Sequence, residues 1–139
     1  MSPLDNVKIL RFPKISDSRG DLTFVEESDG LPFPVKRVFY IYDIPEGAVR
    51  GGHAHKSNCE LLFCLSGSMD LHLTDGRRQL RYHVDDPANG IIIPPDVWTD
   101  MHNFKPGTLL LVLCSEPYQK VGYIHDYDEY RRYIDAQLS

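Results

Sequence analysis

Short apolar runs alternate along this chain with clusters of turn-forming residues. Clear turn signals are Asp17-Ser18-Arg19-Gly20, Ser28-Asp29-Gly30, Asp75-Gly76 and Asn89-Gly90. The runs between the turns are rich in β-branched and aromatic residues and predict strands over residues 35–44, 60–65, 69–73, 80–84, 91–93 and 108–114. Many short strands at this spacing are typical of a sandwich or barrel, so we predict an all-β fold.

One pair of these runs predicts a hairpin. Residues 69–74 alternate apolar and polar side chains before the Asp75-Gly76 turn, and a second alternating run follows the turn. His72 and His83 occupy polar positions of this hairpin, so we expect them to face solvent or to have structural partners.

The end of the chain has a different period. Asp126 is placed to cap a helix whose apolar face carries Tyr127, Tyr130, Ile134 and Leu138. We therefore expect a short C-terminal helix that packs on the outside of the β-domain.

Length and composition indicate one domain over residues 1–139, since the 42% apolar content suffices for one core. A net charge of −5 argues against binding to nucleic acid or anionic membranes. No apolar run is long enough for a membrane helix and no signal-peptide pattern begins the chain, so we expect a cytoplasmic location. The three cysteines form no C-x-x-C unit and are expected to be reduced.

The strongest chemical signal lies between Gly47 and Gly67, where His53, His55 and Glu60 follow one another closely. Side chains two apart in a strand share a face, so the two imidazoles should enter one cavity together. Imidazole serves near neutral pH as a metal ligand or as a proton carrier. Both roles need a neutral ring, so the residues alone leave the choice open.

The spacing G-x5-H-x-H-x4-E-x6-G resembles the first motif of the cupin superfamily. This resemblance implies a double-stranded β-helix, or jelly roll, with the histidines inside. The second cupin motif would supply a third histidine, but its spacing places Asp100 there, with His102 two residues later. If a metal is present, His53, His55 and Glu60 are the expected ligands, with His102 as a further candidate.

A closer resemblance spans nearly the whole chain. In order, the segments are I-S-D-S-R-G, F-P-V-K-R-V-F-Y-I-Y, R-G-G-H-A-H-K, I-I-I-P-P-D-V-W-T-D-M-H-N-F and Y-I-H-D-Y-D-E-Y. Together they resemble the sugar-nucleotide 3,4-ketoisomerases. The resemblance implies a dTDP-4-dehydro-6-deoxyhexose substrate, no metal or other cofactor, and a homodimer that exchanges N-terminal strands.

The same resemblance implies His53 as the proton acceptor and His55 as its partner. Tyr40 is a candidate phenol for the enediolate, although alternation places it opposite Arg37, so that only one of the two should line the cavity.

The diphosphate needs cationic partners, and guanidinium binds phosphate in a bidentate manner. Arg19, Arg37 and Arg50 stand in the matched segments, and Arg19 is a candidate to reach the partner subunit. The other candidate substrate-binding residues are Lys56, Trp98 and His102.

Two other functions remain open at this point. One is a metal-dependent cupin enzyme, either a dioxygenase or a phosphosugar isomerase. The other is a cupin that binds sugar nucleotides without catalysis.

Overall fold

The computed structural model describes residues 1–27 and 30–138, and it confirms the all-β fold with a C-terminal helix. The described residues form twelve strands, with one α-helix after them. The strands are β1 Lys8–Arg11, β2 Lys14–Asp17, β3 Gly20–Thr23, β4 Arg37–Ile41, β5 Arg50–His55, β6 Glu60–Ser66, β7 Met69–Thr74, β8 Gln79–Val84, β9 Asn89–Ile93, β10 Trp98–His102, β11 Leu109–Cys114 and β12 Tyr123–Ile124; the helix is α1 Tyr127–Leu138.

Ten of the strands build two five-stranded sheets. The first has the order β1-β9-β6-β11-β4 and the second the order β12-β5-β10-β7-β8. All neighbouring strands are antiparallel. This is the two-sheet arrangement expected of a jelly roll.

The core lies between these sheets because each contributes its apolar face. Leu62 and Val112 come from the first sheet, whereas Leu71, Leu73 and Met101 come from the second, and all five are buried in one cluster. Removing this apolar surface from water is the main force that holds the sheets together.

Strands β7 and β8 form the expected hairpin. Its two histidines lie on the outer side with structural partners, as predicted. His72 Nε2 lies 3.0 Å from Gln79 Oε1, and His83 Nδ1 lies 2.8 Å from Asp70 Oδ1.

Helix α1 also begins where the sequence predicts. The Asp126 side chain accepts a hydrogen bond from the backbone N–H of Glu129 at 3.2 Å. Tyr130 and Ile134 are buried against Trp98 on the back of the second sheet. The 12-residue α1 is too short to cross a bilayer, and the described residues contain no other helix suited to that role.

The N-terminal strands were expected from the family resemblance alone, without bounds, and not from the pattern of apolar residues. Strand β1 pairs with β9 of the same chain, and β2 pairs with β3 around the expected Asp17–Gly20 turn. The apolar side chains of Ile15 and Leu22 on this β2–β3 hairpin are exposed. The predicted turn at Ser28-Asp29-Gly30 includes two residues that lie outside the described part of the chain.

Candidate active site

Two histidines on β5 converge as the sequence predicts. The ring centres of His53 and His55 are 5.1 Å apart, with an angle of 81° between the ring planes. Ala54 points the other way and is buried beneath α1. The two-residue period of the strand therefore places both imidazoles on the inner face of the second sheet.

Glycine is required just before the histidines. Gly51 has φ of +86°, and a Cβ atom there would lie 2.6 Å from the carbonyl oxygen of Thr99. The pairing of β5 with β10 shifts register at the same point, between Thr99 and Asp100. The missing side chain thus lets β5 approach β10 closely where the site begins.

A cavity of about 190 Å³ opens between the sheets in front of His53. Most of its wall is apolar, and its polar or charged side chains include Arg50, His53, Glu60 and Tyr123. An apolar cleft with a few convergent polar groups is the usual form of a small-molecule site. The remaining lining residues are Phe39, Ile41, Gly51, Leu62, Ile93, Thr99, Met101 and Val112.

A larger cavity of about 330 Å³ lies elsewhere, under the β2–β3 hairpin. It is bounded by Lys14, Asp21 and Asp86 together with apolar side chains such as Phe63. It contains no histidine, so we assign the chemistry to the smaller cavity.

Burial favours the neutral form of His53. Burial lowers the pKa of His53, and repulsion from the neighbouring His55 lowers that pKa further. A lowered pKa keeps the imidazole neutral at physiological pH, which is the form that accepts a proton.

His55 is held in the interior behind His53. Its Nε2 lies 3.5 Å from Oε2 of Glu60, and both residues are 6% exposed. The ring of Tyr123 packs on the His55 ring with centres 4.3 Å apart. Arg37 in turn donates to the Tyr123 hydroxyl at 3.3 Å and lies 3.4 Å from Cys114 Sγ. These contacts fix the orientation of the inner imidazole.

The ligand atoms of His53, His55 and Glu60 lie within 4.8 Å of one another. Two imidazoles and a carboxylate fit a divalent ion with open positions, which would act as a Lewis acid when bound. The inner face of β10, at Thr99 and Met101, adds neither imidazole nor carboxylate to this set.

Strand β10 places two predicted residues away from the cavity. Trp98 is buried under α1 beside Tyr130, and its Nε1 donates to Asp100 Oδ2 at 3.1 Å. His102 lies on the outer side, in a shallow groove with Asp70. Trp98 and His102 therefore do not line the cavity of their own chain, because Thr99 and Met101 are the inward-facing residues of β10. Their role in substrate binding stays a prediction.

Neither Arg37 nor Tyr40 of β4 lines this cavity, although Arg37 lies on the inward-facing side of the strand. Phe39 and Ile41 face the cavity, and Arg37 shares their face. Tyr40 is 62% exposed on the opposite face, near Tyr42. Alternation along the strand thus excludes Tyr40 from the cavity of its own chain and corrects the expectation of a catalytic phenol there.

The remaining cationic candidates lie at separate places in the fold. Arg50 lines the cavity. Arg19 stands at the tip of the β2–β3 hairpin and pairs with Asp17 at 2.7 Å. Lys56 Nζ lies 5.5 Å from the centre of the Tyr133 ring, outside the cavity. Neither Arg19 nor Lys56 reaches the histidines of its own chain.

Two residues at the site were missed by sequence reasoning. Tyr123 lines the cavity, and His125 stacks on it with ring centres 5.5 Å apart and parallel planes. The ring of His125 also approaches that of His53, at 6.2 Å between centres. Both lie in the segment Y-I-H-D-Y-D-E-Y. Their spacing of two residues would place both rings on one face of a strand, and this spacing could have identified them.

Comparison with known proteins places this geometry in a family. The model of the FdtA family, described as WxcM-like, C-terminal, matches residues 5–135. The TDP-4-oxo-6-deoxy-alpha-D-glucose-3,4-oxoisomerase of Aneurinibacillus thermoaerophilus is 42% identical over 127 residues, which cover 91% of each chain.

Solved structures agree with this match. QdtA, a sugar 3,4-ketoisomerase from Thermoanaerobacterium thermosaccharolyticum in complex with TDP, has a TM-score of 0.93 at 37% identity, over 98% of this chain and 99% of that one. WlaRB, a TDP-quinovose 3,4-ketoisomerase from Campylobacter jejuni, has a TM-score of 0.85 at 41% identity, over 91% and 98% of the chains. These matches confirm the resemblance noted in the sequence, and the chain belongs to the FdtA family.

Proposed function

We propose that this protein is a TDP-sugar 3,4-ketoisomerase that uses His53 as its general base. The observation that carries the proposal is a half-buried imidazole with a lowered pKa that faces a largely apolar cavity. The curated relative and the solved structures described above carry the names of such isomerases. A histidine-to-asparagine variant of QdtA was crystallised with TDP-4-keto-6-deoxyglucose, which makes this sugar nucleotide the first substrate to test.

The chemistry suits the residues. The C4 ketone acidifies the hydrogen on C3, so a neutral imidazole can remove it and leave an enediolate. Return of a proton to C4 then completes the exchange of ketone and hydroxyl. A general base of this kind contributes about 10² to 10⁴-fold to the rate. Burial and, after it, the neighbouring His55 favour the neutral form of His53, and His55 serves as the partner of the base.

The residue at the mouth of the cavity that can orient the substrate is Arg50. Arg50 is the guanidinium that lines the cavity, and its bidentate geometry suits a phosphate oxygen pair. Arg37 lies deeper, against Tyr123, and supports the aromatic wall. We therefore assign the diphosphate contact within the chain to Arg50.

We also propose a homodimer, consistent with the exchange of N-terminal strands that the family resemblance implies. Ile15, Leu22, Val38 and Tyr40 are large apolar side chains, each more than half exposed. A second copy that covers this surface would remove it from water and would place Arg19 near another subunit. A cytoplasmic location remains part of the proposal.

Turnover is the direct test of the proposed reaction. The protein should convert TDP-4-keto-6-deoxyglucose to the 3-keto isomer, which NMR detects through the changed hydrogens at C3 and C4. Metal analysis of protein purified without chelator distinguishes the proposed reaction from the metal-dependent alternative. A stoichiometric metal that is required for activity would favour that alternative. TDP binding without turnover of any keto sugar would favour the non-catalytic alternative.

Light scattering tests the dimer. We expect a particle of twice the chain mass, and Leu22→Glu should shift it toward the monomer because it places a charge on the exposed apolar surface. Val121→Glu is the matched control, since Val121 is 85% exposed and lies outside both β4 and the hairpin. A wild-type monomer at micromolar concentration would contradict the proposal.

A further inference from the structure

The rim of the cavity carries a third imidazole. His125 follows β12 and stacks on Tyr123, and its ring stands edge-on to that of His53 with centres 6.2 Å apart. His53 and Tyr123 both line the cavity, and His125 is exposed, so it meets solvent where the cavity opens. His125 is thus both next to the base and accessible to an entering sugar.

The isomerisation needs two proton carriers. One hydrogen leaves carbon C3 and one arrives at carbon C4, above or below the plane of the enediol. Separately, oxygen O4 gains a proton and oxygen O3 loses one, and these oxygens lie in the plane of the enediol. A single imidazole that faces the carbons is therefore poorly placed to serve the oxygens as well.

The other polar groups of the cavity are unsuited to the oxygen step. His55 and Glu60 face each other in the interior, with 6% exposure each. Arg50 is already assigned to the diphosphate, and guanidinium has no acceptor atom for the O3 proton. The Tyr123 hydroxyl is held by the guanidinium of Arg37 at 3.3 Å.

We propose that His125 is a catalytic residue that exchanges the oxygen-bound proton of the sugar while His53 handles the carbon-bound one. This inference rests on the proposed ketoisomerase function. In the first half, His53 takes the hydrogen from C3 and protonated His125 gives a proton to O4, which yields a neutral enediol. In the second half, protonated His53 delivers its proton to C4, His125 removes the proton from O3, and C3 becomes the ketone. Both imidazoles end as they began.

The test compares His125→Asn with the wild type and with His72→Asn, a control histidine on the outer face of the β7–β8 hairpin. We expect His125→Asn to lower kcat by about 10²-fold, the scale of one acid–base group. KM and the Kd for TDP should stay within about twofold, since the diphosphate contact is assigned elsewhere. His72→Asn should leave all three values unchanged.

Chemical rescue distinguishes catalysis from a structural role. Because the rim is open to solvent, free imidazole should restore part of the turnover of His125→Ala, and it should not accelerate the wild type. An unchanged kcat in His125→Asn would overturn the inference. A raised KM and a raised Kd for TDP with an unchanged kcat would also overturn it, because they would show that His125 binds the phosphates. Either result requires an active wild type, whereas an inactive wild type would instead refute the proposed function itself.

Discussion

His55 and Glu60 face each other across the junction of the two sheets, with Nε2 of the histidine 3.5 Å from Oε2 of the carboxylate. The histidine ends β5 in the second sheet, and the glutamate begins β6 in the first. This contact holds the imidazole of His55 in the protein interior. It leaves His53 as the member of the pair that faces the substrate cavity.

Replacement of Glu60 by glutamine separates acid–base chemistry from metal chemistry. Glu60→Gln keeps the shape of the side chain and removes its charge. If His53 acts as a free base, kcat should fall by less than about tenfold, because the proton acceptor is untouched. NMR turnover and metal analysis of the same preparation provide the measurement. Loss of activity together with loss of a bound metal would show that the ion performs the chemistry.

The pH profile should report the environment of His53. Burial and the neighbouring His55 hold the pKa of His53 below its ordinary value of 6.5. Since protonation removes the base, kcat/KM should fall on the acidic side as the pH drops through that lowered pKa. The negative charge of Glu60 raises the pKa of His53, so Glu60→Gln should move the acidic limb to still lower pH. A wild-type limb centred above pH 6.5 would contradict the assignment.

The C-terminal helix should stabilise the fold through one buried hydroxyl. The hydroxyl of Tyr130 lies 3.0 Å from the carbonyl oxygen of Thr74 and 2.7 Å from that of Asp96. Tyr130→Phe leaves these acceptors without their donor and should cost about 1–3 kcal/mol. Thermal unfolding measures the loss, with Tyr127→Phe as the control because Tyr127 is 39% exposed. Equal melting temperatures for the two variants would argue against this role.

Sequence alternation predicted which residues share a face but not which face is inward. It placed Arg37 and Tyr40 on opposite sides of β4, and the structure agrees. It could not decide between them, because apolar residues lie on both sides: Phe39 faces the cavity, and Val38 is exposed. The inner side is set by pairing with β11 and by packing across the sandwich.

The second cupin motif shows the same limit. Motif spacing pointed to Asp100 as the position of the missing histidine, whereas the cavity receives Thr99 and Met101. A shift in register between Thr99 and Asp100, where β10 pairs with β5, contributes to this outcome and depends on contacts remote in sequence.

Features that depend only on residues close in sequence could be predicted from the sequence. The pairing of His53 with His55, the β7–β8 hairpin and the start of α1 follow from strand period, turn residues and a capping aspartate. His125 was missed because its approach to His53 requires β12 to pair with β5, across almost seventy residues of chain.

The central claim is that the neutral imidazole of His53 removes the hydrogen from C3. The most direct measurement is NMR-monitored turnover of TDP-4-keto-6-deoxyglucose by His53→Asn beside the wild type, with TDP binding as the check on folding. We predict retained TDP binding and a rate lower by about 10² to 10⁴-fold. A His53→Asn variant that forms the 3-keto sugar at the wild-type rate would contradict the account.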